Sequence, residues 1–138
     1  MFLSLLTPPQ QELFMQAAHL VAAQDGELDE LETALLEALG AESNLESLPG
    51  DVELADALQR APELLPDGPS RRAFLLELAG VVVIDGRAHQ AEIDRLRDFA
   101  GALDVPEVQV NRFLDYALQA RSIVDTGRTL IATADGKD

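Results

Sequence analysis

The stretch Gln24-Asp25-Gly26-Glu27-Leu28-Asp29-Glu30-Leu31-Glu32 returns as Ile84-Asp85-Gly86-Arg87-Ala88-His89-Gln90-Ala91-Glu92, 60 residues later (85 − 25 = 60). Apolar residues precede each Asp-Gly and a helical pattern follows each Glu. The phrase therefore reads as a helix, a tight turn carrying carboxylates, and a second helix. A chain of 138 residues is the size of one domain. Folding at that length buries about 70% of the unfolded surface, whereas either half alone would bury nearer about 60% and be marginal. The two copies are thus expected to share one core, in an all-α, compact bundle of about six to seven helices with an internal pseudo-two-fold repeat.

Working outward, Thr7-Pro8 gives an N-cap and a helix-starting proline, and Leu13, Phe14, Ala17, Leu20 and Val21 follow at helical spacing. This predicts a first helix over 8–24, stopped by Asp25-Gly26. Asp29, with Glu32 three residues on, predicts a capped second helix striped by Leu31, Leu35, Leu36 and Leu39 and closed by Gly40 and the 43–50 segment. Asp51 is expected to cap a short third helix. The three prolines of 61–69 mark a linker, and Ser70 is expected to cap a fourth, most enclosed helix carrying Phe74, Leu75, Leu78, Ala79, Val82 and Val83. Val81 to Ile84 alone would favour a strand, but the matching Val21-Ala22-Ala23 is helical in pattern. A fifth helix follows over 90–103. Asp104-Val105-Pro106 is expected to start a sixth that fades near Asp125. The expected division of the single domain 1–138 is a first repeat over about 8–60, the linker, a second repeat over about 70–125 and a flexible tail over 126–138.

The core must be aliphatic, since the chain has one Tyr, five Phe and no Trp. No cysteine is present, which excludes disulfides, thiolate metal sites and thiol nucleophiles. The apolar start runs straight into Thr7-Pro8-Pro9 without a basic leader, and Leu78 to Ile84 is far too short to span a bilayer. A cytoplasmic protein without direct membrane insertion is expected. The net charge of −15 is uneven: up to Gln59 there are twelve acids and no Lys or Arg, and from Arg60 onward thirteen acids face all ten bases. Such a surface repels nucleic acid and anionic lipid, and suits cations or a protein partner with a basic surface.

Asp-Gly-x5-Glu matches the second half of a calcium loop, but the first half would place Val21, Ala23, Val81 and Val83 where oxygen ligands belong. An EF-hand is excluded. Capping alone accounts for the polar residues of the first turn. In the second turn His89 replaces Asp29. If the turns lie together they could pool Asp25, Asp29, Glu32, Asp85, His89 and Glu92, the first three favoured, as ligands for Ca²⁺, Mg²⁺ or Mn²⁺ and less readily Zn²⁺. His19 on the first helix reads as a packed or surface residue. No nucleophile with its base, phosphate loop or zinc-binding helix motif emerges, so no enzymatic activity is expected.

The apolar helix, Asp-Gly-Glu-Leu-Asp-x-x-Glu and Leu-rich helix resemble the TerB-like family, which includes the tellurite-resistance protein TerB and the N-terminal domain of the DjlA co-chaperone. The second copy, from Val82 through Glu92, Leu96, Phe99, Ala100, Leu103 and Val105-Pro106, is similar to the family's other characteristic stretch; the likeness covers roughly 8–122. It implies an all-helical domain of about seven helices, a link to tellurite or general stress response, and divalent metal binding through Asp25, Asp29, Glu32, Asp85 and Glu92. Ile84, Arg87 and His89 depart from the family pattern. Two functional classes follow: an acidic interaction module docking a basic protein partner, and a divalent-cation-binding or sensing protein.

Overall fold

Among the described residues of the computed structural model, 2–23, 28–45, 49–86 and 88–133, every regular element is helical. A 3-10 turn at Leu3–Leu5 precedes α1 (Pro8–Ala22), α2 (Glu30–Glu42), α3 (Leu54–Leu64), α4 (Gly68–Val82), α5 (Gln90–Ala102) and α6 (Glu107–Ala132). The Asp25-Gly26 stop lies outside the described residues. α1 and α4 are each 15 residues long and start 60 apart (68 − 8); α2 and α5 are each 13 long and also start 60 apart (90 − 30). The third members differ, with 11 residues in α3 and 26 in α6.

Local chemistry sets these boundaries. Thr7 Oγ1 accepts from the Gln10 amide at 3.4 Å, and Gln10 Oε1 accepts from the Thr7 amide at 3.0 Å, closing a capping box ahead of Pro8-Pro9. α4 is the central helix, packed against α1, α5, α6 and the first turn. Its Phe74 meets Phe14 edge-on at 5.7 Å and Phe99 at 5.9 Å, and all three rings are fully buried. Phe14 and Phe74 hold equivalent places in the two halves (74 − 14 = 60).

Two polar anchors, one buried and one half-buried, tie helix ends to this core. Gln11, fully enclosed, donates from Nε2 to the Leu3 carbonyl at 2.9 Å and accepts at Oε1 from the Asn44 amide at 2.8 Å. Arg71, its equivalent 60 residues on, donates to the carbonyls of Leu65 (2.6 Å), Leu103 (2.9 Å) and Pro62 (3.4 Å). Gln11 shares the Leu3 carbonyl with the Leu6 amide and satisfies the Asn44 amide, and Arg71 serves carbonyls at the C-terminal ends of α3 and α5.

Several boundaries differ from the sequence expectation, each for a local reason. Asp51 does not cap α3; Val52 packs on the core and holds the chain extended, so the helix begins at Leu54 after Glu53, which makes no side-chain cap. Residues 61–64 belong to α3, not to a linker, because Ala61 and Leu65 are fully buried and Pro62 forgoes only one amide donor. Ser70 is not the cap of α4: Asp67 Oδ1 accepts from the Ser70 amide at 2.8 Å, with Gly68-Pro69 filling the first two helical positions. That hydrogen bond holds the Asp67 carboxyl below the ordinary carboxylate range.

Asp104 ends α5 instead of starting α6. It takes φ +56°, its amide reaches the Gly101 carbonyl at 3.3 Å, and the Val105 amide reaches the Ala100 carbonyl at 2.9 Å, the Schellman closure. Finally, α6 does not fade near Asp125. It runs to Ala132, supported by Arg121 on Asp125 at 3.1 Å and by Thr129 Oγ1 on the Asp125 carbonyl at 3.1 Å. Residues 126–132, expected as tail, are therefore helical. Among the described residues no helix is long and apolar enough to cross a membrane.

Candidate functional site

The two related turns are built differently. In the first, Asp29 Oδ1 accepts from the Glu32 amide at 2.7 Å, and Glu32 Oε1 accepts from the Asp29 amide at 3.2 Å. This reciprocal box puts two carboxylates at the positive end of α2, where the helix dipole favours them. In the second, His89 holds the N-cap position of α5 without a side-chain cap, and its Nε2 lies 2.7 Å from Asp85 Oδ2. The Asp85 carboxylate thus stands within hydrogen-bond distance of the imidazole and brings negative charge to the N-terminal end of α5, where the helix dipole favours it. Gly86 takes φ +83°, a conformation a side chain strains, and so turns the chain between α4 and α5.

Of the six residues predicted as a pooled site, the structure brings together Asp29 with Glu32 and Asp85 with His89. Glu32 and Glu92 are both buried, at 7% and 8% exposure. Asp25 lies outside the described residues. Among the described residues, no group of three or more His, Asp or Glu side chains is placed to hold a metal ion. His19 is half-exposed, 3.6 Å from Asp51, beside a small cleft lined by Leu36 of α2 and by residues 49–52.

A feature that the sequence reading missed is an apolar groove of about 270 Å³ between α2, α4 and α6. Leu35 and Leu39 form one wall and Tyr116, Ala117 and Ala120 the other; Gly80 and Val81 contribute from α4 and Ile84 from the turn after it. A side chain at Gly80 would meet nothing within 4 Å, so the glycine keeps the groove open at that point. Charged groups stand at its edge: Glu42 from α2 and Arg121 from α6. Glu77, buried on α4, accepts from the Phe2 amide, and the Phe2 ring lies 6.3 Å from that of Tyr116, so the N-terminal turn closes one end. The available signal was Gly80, a gap in an otherwise apolar helix, together with the lone Tyr116.

The carboxylates of the first half line its surface. Glu12, Asp29, Glu30, Glu37, Glu42, Asp51, Glu53 and Asp56 are all exposed, and no Lys or Arg precedes Arg60. An apolar groove with an acidic flank can seat an amphipathic segment bearing positive charge. Comparison with protein-family models, with curated proteins and with solved structures found no match to this chain.

Proposed function

We propose that the protein is a non-enzymatic, acidic helical interaction module that docks a basic protein partner along the first half of the chain. The observation that carries this reading is the acidic exposed surface of α2, where Glu42 stands at the groove wall formed by Leu35 and Leu39 and Glu30 and Glu37 stand on the outward face of the same helix, with no Lys or Arg from the same half. The carboxylates would supply most of the affinity for a positively charged segment, and the apolar groove would fix its orientation. The capping box at Asp29 and Glu32 supports reading the first turn as helix punctuation within this module.

The TerB-like resemblance extends the proposal to a pseudo-two-fold duplicated domain acting in tellurite or general stress response. The equal helix lengths at a spacing of 60, the contact between the equivalent Phe14 and Phe74, and the equivalent anchors Gln11 and Arg71 support the duplication.

A fluorescent amphipathic peptide rich in Lys and Arg tests the docking face. Glu30→Lys with Glu37→Lys should weaken binding by about tenfold or more, and the binding should vanish near 1 M salt, where the Debye length falls to about 3 Å. Reversing two exposed charges of the other half, Asp94→Lys with Asp98→Lys, should leave most of it. Equal losses from the two pairs would mean unspecific attraction to a polyanion and would sink the proposal.

A further inference from the structure

The packing of α6 changes along its length. Val110, Leu114 and Ala117 are buried against the bundle, but beyond Ala117 no residue of the helix is. The remaining 15 residues to Ala132 (132 − 117) extend about 22 Å at 1.5 Å per residue. This outer half is not a solvated face. Ile123 is 72% exposed, Leu130 71% and Ile131 86%, with Val124 and Tyr116 also exposed. At about 100° per residue, Tyr116, Ala120, Ile123, Val124, Gly127, Leu130 and Ile131 fall within an arc of roughly 120°, which contains no charged residue. Arg121, Asp125 and Arg128 lie on the other side of the helix.

We propose that two copies of this chain pair through the outer halves of α6, as an antiparallel helix pair about a two-fold axis. Three observations on the stripe select a second copy as its occupant. First, Tyr116, Ala120, Ile123, Gly127 and Leu130 follow one another at intervals of four, three, four and three, the heptad spacing that keeps a seam facing a partner helix. Second, large and small residues alternate along that seam. A parallel pair would set Ile123 on Ile123 and Gly127 on Gly127. An antiparallel pair sets Ile123 on Gly127 of the second copy and Leu130 on Ala120 of the second copy, so that each large side chain fills the space a small one leaves. A side chain at Gly127 would meet nothing within the subunit, so the subunit's own packing does not require the glycine.

Third, charge permits pairing here and disfavours it elsewhere. The outer half of α6 carries Arg121, Asp125 and Arg128, a net +1, while the rest of the chain carries −16 (−15 − 1). The antiparallel arrangement joins the two nearly neutral arms and leaves the anionic bodies at opposite ends, which keeps their repulsion low. The seam is continuous with the groove through Tyr116 and Ala120, so Leu130 of the second copy would close the α6 edge of that groove.

Light scattering and sedimentation of the full chain at tens of micromolar test the pairing. The expected mass is 29.8 kDa (2 × 14.9), and Ile123→Glu with Leu130→Glu should return it to 14.9 kDa with an unchanged helical circular dichroism spectrum. Gly127→Leu makes the seam more apolar and improves helix propensity, so it would strengthen unspecific association; in this pair it fills the space Ile123 needs and should dissociate the dimer. Direction is read by oxidation, since the chain has no native cysteine. A mixture of Gln119→Cys and Thr133→Cys chains should crosslink to each other, and neither should crosslink alone. A monomer at these concentrations, or a dimer indifferent to Ile123→Glu, overturns the pairing; a dimer strengthened by Gly127→Leu, or crosslinking within one variant, overturns the antiparallel seam. Peptide binding is read separately, through Glu30→Lys with Glu37→Lys on α2, which lie off the seam, so the two proposals fail separately.

Discussion

The first two helices of each half have the same lengths at the same spacing but are secured with different chemistry. In the first half the fastenings are neutral or box-like: Thr7 and Gln10 at α1, Asp29 and Glu32 at α2, and the amide of Gln11 within the core. In the second they are charged or missing: Asp67 at α4, no side-chain cap at α5, and the guanidinium of Arg71 gathering three carbonyls. Backbone geometry is thus the constraint that α1 shares with α4 and α2 with α5, while the group that satisfies each helix end is interchangeable.

The largest effect should come from removing the equivalent anchors. Arg71→Ala strips partners from the carbonyls of Pro62, Leu65 and Leu103 and is expected to destabilise by about 2–4 kcal/mol, against about 1–2 kcal/mol for Gln11→Ala, whose two partners lie nearer the chain start. Urea unfolding of both variants measures this; an equal loss would show that charge adds nothing to the second anchor.

A smaller contrast is expected at the two turns. Asp29→Ala should destabilise by about 1 kcal/mol because it removes the cap of α2, whereas His89→Asp should stabilise by up to about 1 kcal/mol by supplying one to α5. If thermal melts show His89→Asp to be neutral or harmful, the His89–Asp85 pair is the better fastening and the turns are not equivalent.

The smallest and most local difference is in pH dependence. Thr7 does not titrate, whereas the Asp67 carboxyl is held below its ordinary range by the Ser70 amide. A carboxyl depressed in the folded state stabilises fully above its unfolded pKa, and that contribution is lost as pH falls through the folded value. Asp67→Ser keeps a cap without the titration. The stability difference between the parent chain and this variant should therefore change on acidification from neutral pH into the carboxylate range, and stay flat above it.

Much of the architecture was legible because it rests on short-range rules. The helical spacing around Phe14 and Phe74, the proline starts of α1 and α4, and the Asp29-x-x-Glu32 box all act within one or two turns of chain. The misplaced boundaries are not written in the helical spacing. Pro62 stays helical because Ala61 and Leu65 are enclosed by other helices, and Asp104 becomes a helix stop because the Ala100 and Gly101 carbonyls are there to accept. α6 outlasts its buried stripe, so a reading that equates helix with a core-facing pattern ends it too early. The groove was illegible for a related reason: its walls come from α2 and α6, and only the packing of α2 on α1 and of α6 on α4 sets Leu35 opposite Tyr116.

Tyr116 carries one more consequence. It is the one tyrosine of a chain without tryptophan, and it stands half-exposed on the groove wall beside the Phe2 ring. Excited at wavelengths beyond the phenylalanine absorption band, the molecule thus emits from a single surface. Quenching by acrylamide and the anisotropy of that emission report occupancy of the groove, or approach of another helix to the α6 seam, without any attached label and with no background from the core.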